Sequence, residues 1–221
     1  MSLKHFAQES RVVLMSGVRR RLAYWGFDER GEASQEPEAV SGGYVMRGEV
    51  FDDPGVPQLW KALKRAIARK GMDVVVEEAA YTWFNRMVAM KVLAQNGYET
   101  AQLEYASEAD LTPRILQRAR QGGMGYLEPE EKERVTKLLG DFTKDQEAFA
   151  QLLTGYCRNH RTLRRVFGRQ EDYTELLLPD DVLQEGGFLQ LLNTHPSLTE
   201  EEYQKVELIG WLYQFYISEK K

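Results

Sequence analysis

The sequence of 221 residues has a single cysteine, Cys157, and seven prolines. One cysteine excludes an internal disulfide framework, and it also excludes a zinc site made of cysteines alone. No apolar run reaches the length of about 18 residues that a transmembrane helix needs. Residues 1–5 also lack the apolar stretch of a signal peptide, so we expect an intracellular, cytoplasmic protein without membrane contact.

Neither sign of charge dominates the sequence. The 29 Lys and Arg residues stand against 34 Asp and Glu residues, which gives a formal net charge of −5. This balance excludes a protein whose whole surface binds nucleic acid, whereas a local basic face remains compatible with it. Hydrophobic residues make up 43% of the chain, an ordinary share for a globular protein long enough to bury a core.

Motifs of catalysis and cofactor binding are also missing. Gly123-Met124-Gly125 forms a G-x-G sequence, but it follows a predicted helix, whereas a dinucleotide or S-adenosylmethionine loop follows a buried strand. We interpret it as a turn between two helices. No G-x-S-x-G motif occurs, and three histidines do not define a catalytic triad by their order alone. We therefore assign no catalytic or cofactor-binding residue.

The sequence contains few residues that bind metal ions through nitrogen or sulfur. Cys157 and His160 are three residues apart on a predicted helix, so they share one face. Only His5 and His195 offer further imidazoles, and neither has a spacing that suggests a shared site. A buried thiol and a surface histidine are the favoured interpretation, and we predict no metal ligand.

Apolar residues at helical spacing predict a mainly α-helical fold. The expected helices cover residues 3–25, 58–70, 73–96, 113–121, 129–140, 143–167, 180–192 and 199 to the end. Residues 26–57 are rich in Gly and Pro and predict a long loop, in which Tyr44–Met46 and Val50–Phe51 are expected to form short extended segments. The expected architecture over 1–221 is one multi-helix domain with a long irregular loop near its N-terminus and at most short β pieces.

Two groups of basic residues recur at helical spacing. The first group, on helix 58–70, is Lys61, Lys64, Arg65 and Arg69, and the second, on helix 143–167, is Arg158, Arg161 and Arg165. A helix holds such side chains in register, and guanidinium groups bind phosphate oxygens in a forked arrangement. These seven residues are candidate contacts to nucleic-acid phosphates. The alternative is that they form solvated faces and pair with glutamates on neighbouring helices.

The polar pair Asn85-Arg86 interrupts the most apolar helix, 73–96. Burying an amide and a guanidinium without partners costs several kcal/mol. We therefore expect both side chains to be paired, or to face a groove or a neighbouring domain. The favoured interpretation is a structural network that holds a loop to this helix.

Three sequence blocks resemble a known family. The first block, Glu77–Arg86, contains Tyr81, Trp83, Phe84, Asn85 and Arg86 and is followed by Asn96-Gly97-Tyr98, and the other two are Asp172–Asp181 and Ile209–Lys221. In this order they resemble the region near the N-terminus of BREX-type phage-defence adenine-specific DNA methyltransferases, the PglX family. We interpret the five single residues named for the first block as a family signature with a structural role.

The resemblance implies a parent enzyme that transfers a methyl group from S-adenosylmethionine to the N6 amine of adenine in double-stranded DNA, after extruding the base. The Asn/Asp-Pro-Pro-Tyr/Phe motif of that class is absent, because the chain contains no Pro-Pro pair. We therefore expect a non-catalytic N-terminal domain that engages DNA or docks other phage-defence subunits. A helical protein-interaction scaffold without direct DNA contact is the alternative.

The apolar residues near the end of the chain predict a further contact. They crowd most faces of the last expected helix, so we expect the downstream methyltransferase domain to pack on residues 203–219. Lys220-Lys221 is then expected to be a cut between two domains.

The missing cofactor motif predicts that this chain binds no S-adenosylmethionine. Titration calorimetry of the chain with S-adenosylmethionine should therefore show no saturable heat. Binding with a micromolar dissociation constant would contradict this prediction.

Overall fold

Helices form most of the computed structural model, which describes residues 2–107, 109–167, 173–205 and 207–218. Parts of two family-like blocks, residue 172 and residues 219–221, lie outside these ranges, and so does the expected cut at Lys220-Lys221. Within the described ranges, no helix is both long enough and apolar enough to cross a bilayer.

The mainly α-helical fold class is confirmed. The ten α-helices in the described part are α1 (Leu3–Tyr24), α2 (Val56–Lys70), α3 (Met72–Gln95), α4 (Arg114–Arg120), α5 (Pro129–Leu139), α6 (Asp145–Asn159), α7 (Arg161–Phe167), α8 (Phe188–Thr194), α9 (Glu200–Tyr203) and α10 (Leu208–Ile217). Two short 3-10 helices accompany them, the first over Phe142–Lys144 and the second over Tyr173–Leu177.

The two short extended segments expected within residues 26–57 belong to a small antiparallel sheet. Its strands follow one another as a meander: β1 (Glu38–Val40), β2 (Gly43–Met46) and β3 (Glu49–Phe51). The expected segments are β2 and β3, whereas β1 was not predicted. Between β2 and β3, Arg47 and Gly48 have φ angles of 54° and 80°, as a type I′ hairpin turn requires. Tyr44 is buried between Phe51, at a ring distance of 4.8 Å, and Trp25, at 6.2 Å. The sheet is thereby attached to the end of α1.

α3 lies at the centre of the fold, because apolar residues occupy most of its faces. α1 packs antiparallel to it, since Arg19 pairs with Asp73 near the start of α3 and Phe6 lies 6.1 Å from Phe84 further along. α2, α7, α9 and α10 also contact α3. α3 therefore sets the positions of α2 and α7, which carry exposed basic residues.

Three buried tryptophans attach the helices to the second 3-10 helix. The indole N–H of Trp83 donates to the carbonyl of Thr174 at 2.9 Å, and that of Trp25 donates to the carbonyl of Leu176 at 2.7 Å. The indole N–H of Trp60 donates in turn to the carbonyl of Trp25 at 2.9 Å. Buried carbonyl groups need a donor, so these bonds allow a short irregular segment to pass through the core.

The helix predicted over residues 143–167 is divided at His160, whose backbone is extended. The Nδ1 atom of His160 accepts a hydrogen bond from the backbone N–H of Leu163 at 3.3 Å and so caps the start of α7. This break places the first of the three predicted arginines on α6 and the other two on α7.

The C-terminal helices also begin and end where the periodicity did not predict. The helix expected over 180–192 begins only at Phe188, because Gly186 has a φ angle of 76°. The helix expected from residue 199 onward ends after α9. There the carbonyl of Tyr203 accepts a hydrogen bond from the side chain of Asn96 at 2.8 Å.

Two helical glycines, Gly17 on α1 and Gly210 on α10, have contrasting surroundings. A Cβ on Gly17 would lie 2.4 Å from the Cβ of Pro179 and 2.9 Å from Oδ1 of Asp181. A Cβ on Gly210 would meet no atom of the described residues within 4 Å. Gly17→Ala is therefore expected to lower the free energy of unfolding by about 1–3 kcal/mol through overpacking.

Gly210→Ala is the matched control for this substitution. It should raise the free energy of unfolding by about 0.5–1 kcal/mol, because alanine has the higher helix propensity. Urea denaturation measures both changes, and a stability of Gly17→Ala equal to that of the wild type would contradict the close approach of α1 to residue 179.

Candidate functional site

The basic residues of α2 lie on its exposed face, opposite its buried apolar side. Lys61 and Lys64 approach the carboxylate of Glu36 in the preceding loop, at 4.0 and 3.6 Å. Arg65 and Arg69 are exposed and have no ion-pair partner among the residues that the structure describes. These two arginines are therefore the members of the group that are available to an external anion.

Arg161 and Arg165 on α7 are also exposed, and within the described ranges no carboxylate pairs with them. α7 packs on α3 and α6, whereas α2 packs on α3 and on the second 3-10 helix. α2 and α7 thus both pack against α3, and each of the two helices has two arginines exposed to solvent.

Arg158, the remaining member of the second group, is used inside the fold. Its guanidinium lies 2.5 Å from Oε1 of Glu131 on α5 and 2.7 Å from Oε2 of Glu175 in the second 3-10 helix. The side chain of Glu175 is only 7% exposed, so Arg158 balances a buried charge. Arg158 is therefore occupied by carboxylates of the fold and is not offered to a phosphate.

A second guanidinium, that of Arg86 on α3, belongs to the same buried cluster. Arg86 is 3% exposed and its guanidinium lies 5.0 Å from the centre of the Trp83 ring. Burial raises the pKa of the Glu175 carboxyl, and the charges of Arg158 and Arg86 oppose that shift by stabilising the carboxylate. The central helix α3 therefore carries a buried arginine because a buried glutamate lies beside it.

Two of the other signature residues, Tyr81 and Phe84, join α3 to α10. The ring of Tyr81 lies 5.6 Å from that of Tyr213 and 5.4 Å from that of Tyr216. Phe84 lies 4.6 Å from the ring of Tyr216. Burial raises the pKa of Tyr81, and the nearby side chain of Asn85 opposes that shift. The ring contacts attach the last helix to the central one.

α10 is apolar around most of its surface, but α1 and α3 cover only one side of it. The residues buried on that side are Leu208, Leu212 and Tyr216. Ile209 and Tyr213 lie one turn apart and are 47% and 44% exposed, although the ring of Tyr213 contacts Tyr81, and Trp211 lies on another face and is 36% exposed. Exposed apolar side chains of this size are typical of a surface that contacts another protein domain.

Cys157 and His160 do not share a site, although they are three residues apart. The Sγ of Cys157 lies 3.8 Å from the Sδ of Met90 in the core, and burial raises the pKa of the thiol to about 12, so it is unreactive. The Nε2 of His160 lies 2.8 Å from a carboxylate oxygen of Glu99. The break after α6 directs the two side chains to different partners.

The structure instead brings together His5, Glu9 and His195. His5 and Glu9 lie one turn apart at the start of α1, and His195 follows the last residue of α8. One donor atom from each residue lies within 4.8 Å of the other two. The i, i+4 spacing of His5 and Glu9 is the local signal in the sequence, whereas His195 joins them only through folding.

Comparisons with known proteins identify relatives along the whole chain, although no model of a known protein family matches it. All of the chain aligns with the adenine-specific methyltransferase BrxX of Escherichia coli O9:H4 (strain HS), at 33% identity over 228 residues and 18% of that protein. It also aligns throughout with the adenine-specific methyltransferase PglX of Lacticaseibacillus casei (strain Zhang), at 28% identity over 244 residues and 20% of that protein. These relatives confirm the resemblance seen in the three sequence blocks. The chain spans about one fifth of the length of each.

Replacing Arg158 by glutamine should destabilise the fold by about 3 kcal/mol near neutral pH, because Glu175 then stays buried with less compensation. Arg161→Gln removes an exposed arginine from the next helix and is the matched control. It should change the free energy of unfolding by less than about 0.5 kcal/mol. Urea denaturation of both variants measures the difference.

The destabilisation by Arg158→Gln should also depend on pH. Burial raises the pKa of Glu175, and removing Arg158 raises it further, so the folded variant binds this proton more readily than the unfolded chain. The stability of the variant relative to the wild type should therefore fall as the pH rises from about 5 to about 8. A difference that stays constant over this range would contradict the role of Glu175.

Proposed function

Because the chain is a homologue of the BrxX and PglX adenine-specific methyltransferases over its whole length, we propose that it is the N-terminal helical domain of such an enzyme. In this proposal the parent methylates the N6 amine of adenine in double-stranded DNA, with S-adenosylmethionine as methyl donor, in the cytoplasm as part of a BREX-type phage defence. The domain engages the DNA and positions it. The chemistry belongs to a methyltransferase domain downstream.

The observation that carries the DNA-binding role is the set of four exposed arginines on two helices. Arg65 and Arg69 lie on α2, Arg161 and Arg165 lie on α7, and no carboxylate in the described part of the chain pairs with them. Guanidinium groups bind phosphate oxygens through charge-assisted hydrogen bonds, and their contacts displace the counterions of DNA. Side chains held in register on helices suit a regularly spaced row of phosphates.

Lys61 and Lys64 complete the basic face of α2, but they contribute less to this proposal. Glu36 lies within 4.0 Å of both ammonium groups and competes with a phosphate for them. A net charge of −5 weakens the general attraction of the chain to DNA. In this proposal the four exposed arginines therefore provide most of the attraction to phosphates.

The described residues do not fit S-adenosylmethionine. Gly123–Gly125 lies in the turn between α4 and α5 rather than after a strand, and a Cβ on Gly123 would lie 2.9 Å from the carbonyl oxygen of Arg118. Between β3 and α2, the connection 52–55 contains a single glycine instead of a glycine-rich loop. We therefore derive no catalytic step from this chain.

The exposed side of α10 is the proposed contact with the methyltransferase domain. The expected contact region, 203–219, includes residues 206 and 219, which lie outside the described ranges. Within those ranges, Ile209, Trp211 and Tyr213 provide apolar surface that a neighbouring domain would remove from water. Other subunits of the defence system are further candidate partners.

A helical interaction scaffold without DNA contact is the second candidate function. The exposed side of α10 favours it, because apolar side chains bind protein surfaces rather than phosphates. The acidic net charge favours it too, since it weakens non-specific attraction to DNA. The two candidates differ in whether the exposed arginines contact phosphates, which the salt dependence of binding measures.

Binding of the chain to a short DNA duplex should weaken steeply as the salt concentration rises. Each phosphate contact contributes about −0.9 to the slope of log K against log salt concentration. Replacing Arg161 and Arg165 together by glutamine should make that slope shallower by about 2 and weaken binding at low salt. Fluorescence anisotropy of a labelled duplex measures both quantities.

The double substitution Arg30→Gln and Arg114→Gln is the matched control, because it removes two exposed arginines from other parts of the fold. It should leave the slope close to that of the wild type. Equal losses in the two double variants would assign the binding to net charge instead of α7. Absence of binding by the wild type at low salt would favour the scaffold.

A further inference from the structure

We propose that His5, Glu9 and His195 form a binding site for Zn²⁺. The ion joins the first turns of α1 to the segment that follows α8. This inference goes beyond the proposed role in DNA methylation and does not depend on it, because it rests on the geometry of these three side chains.

The donor atoms of the three residues already converge. Oε2 of Glu9 lies 3.8 Å from Nε2 of His5 and 4.0 Å from Nε2 of His195. Zinc bonds of about 2.0–2.2 Å place neighbouring donor atoms of a tetrahedral site roughly 3.3 Å apart. The side chains of His5 and Glu9 are 55% and 41% exposed, so they can rotate by the small amount required without disturbing the core.

His195 is the fixed member of the group. It is 6% exposed, yet its Nε2 has no hydrogen-bond partner within the described part of the chain. Buried polar atoms without a partner are rare in folded proteins, and each one calls for an explanation. Since this Nε2 faces the carboxylate of Glu9, a bound metal ion would provide the missing partner.

The other ring nitrogen of His195, Nδ1, is held by Ser197. Nδ1 accepts a hydrogen bond from the backbone N–H of Ser197 at 3.3 Å, and Oγ of Ser197 lies 2.8 Å away. In the free chain the ring proton of the neutral imidazole is therefore on Nε2. Histidines that bind a metal through one nitrogen usually donate the N–H of the other to a nearby oxygen, so binding of Zn²⁺ at Nε2 moves this proton to Nδ1, where Oγ of Ser197 accepts it. The ring of Phe6, 5.3 Å away, packs beside the imidazole.

The types of donor select the metal. Two imidazole nitrogens and one carboxylate oxygen suit Zn²⁺ and other first-row transition ions, whereas Mg²⁺ and Ca²⁺ prefer sites made of oxygen atoms. Three protein ligands leave the fourth tetrahedral position to water. Because the ligands come from both ends of the sequence, a bound ion stabilises the folded chain over the unfolded one.

The test uses the chain without an affinity tag, freed of metal by a chelator, with Zn²⁺ as the added ion. Elemental analysis after dialysis is expected to find one zinc ion per chain. The midpoint of thermal unfolding should rise by about 5–10 °C at roughly a hundredfold excess over the dissociation constant. Mg²⁺ at the same concentration should leave the midpoint unchanged.

His5→Ala and Glu9→Gln test the ligands, because both side chains are exposed enough for the fold to persist. Each variant should bind Zn²⁺ at least about tenfold more weakly and should lose the rise in the unfolding midpoint. His160→Asn is the matched control, since it removes a histidine that contacts Glu99 elsewhere in the fold. This control should bind Zn²⁺ as the wild type does.

Three results would overturn the site. The first is a wild-type chain that retains no zinc after dialysis. The second is an unchanged zinc affinity in His5→Ala and Glu9→Gln, which would place the ion elsewhere. The third is an equal rise of the unfolding midpoint with Mg²⁺, which would show that imidazole nitrogens do not select the ion.

Discussion

The backbone carbonyl groups of the second 3-10 helix are the constraint on which the rest of the fold depends. A short irregular segment in the core cannot satisfy its own carbonyls, so neighbouring elements must supply the donors. Trp83 on α3 and Trp25 after α1 each supply one indole N–H, and Trp60 extends the chain of donors to α2. One segment of five residues thus fixes the relative positions of three helices that are distant from it in sequence.

An electrostatic requirement follows from the same segment, because it carries Glu175 into the core. A buried carboxylate needs compensating charge, and Arg158 and Arg86 supply it from α6 and α3. Part of the arginine content therefore belongs to the interior of an acidic protein. Arg161 and Arg165, which are left for external anions, follow the break that His160 makes before α7.

The sequence predicted the helices better than their interruptions. α1, α2, α3 and α5 follow the predicted bounds closely, because local residues such as Glu128 and Pro129 determine how such a helix begins. The break at His160 was not predicted, because the apolar spacing continues through it and the cap depends on how one imidazole turns. Of the candidate zinc ligands, the sequence shows the spacing of His5 and Glu9 on α1, whereas the approach of His195 depends on how α1 packs against α8.

The packing of α1 against α10 has a consequence for the order in which the chain can fold. Of the described elements, a ribosome makes α1 before all the others and α10 after them. α3 can cover part of α1 early, but the part of α1 that packs on α10 stays uncovered until nearly all of these residues have been synthesised. Contacts between distant segments form slowly, and the surface that waits for them is prone to aggregate. A nascent chain that stops before α10 would expose the apolar residues of α1 that α10 covers in the folded chain, and chaperones bind such apolar surface.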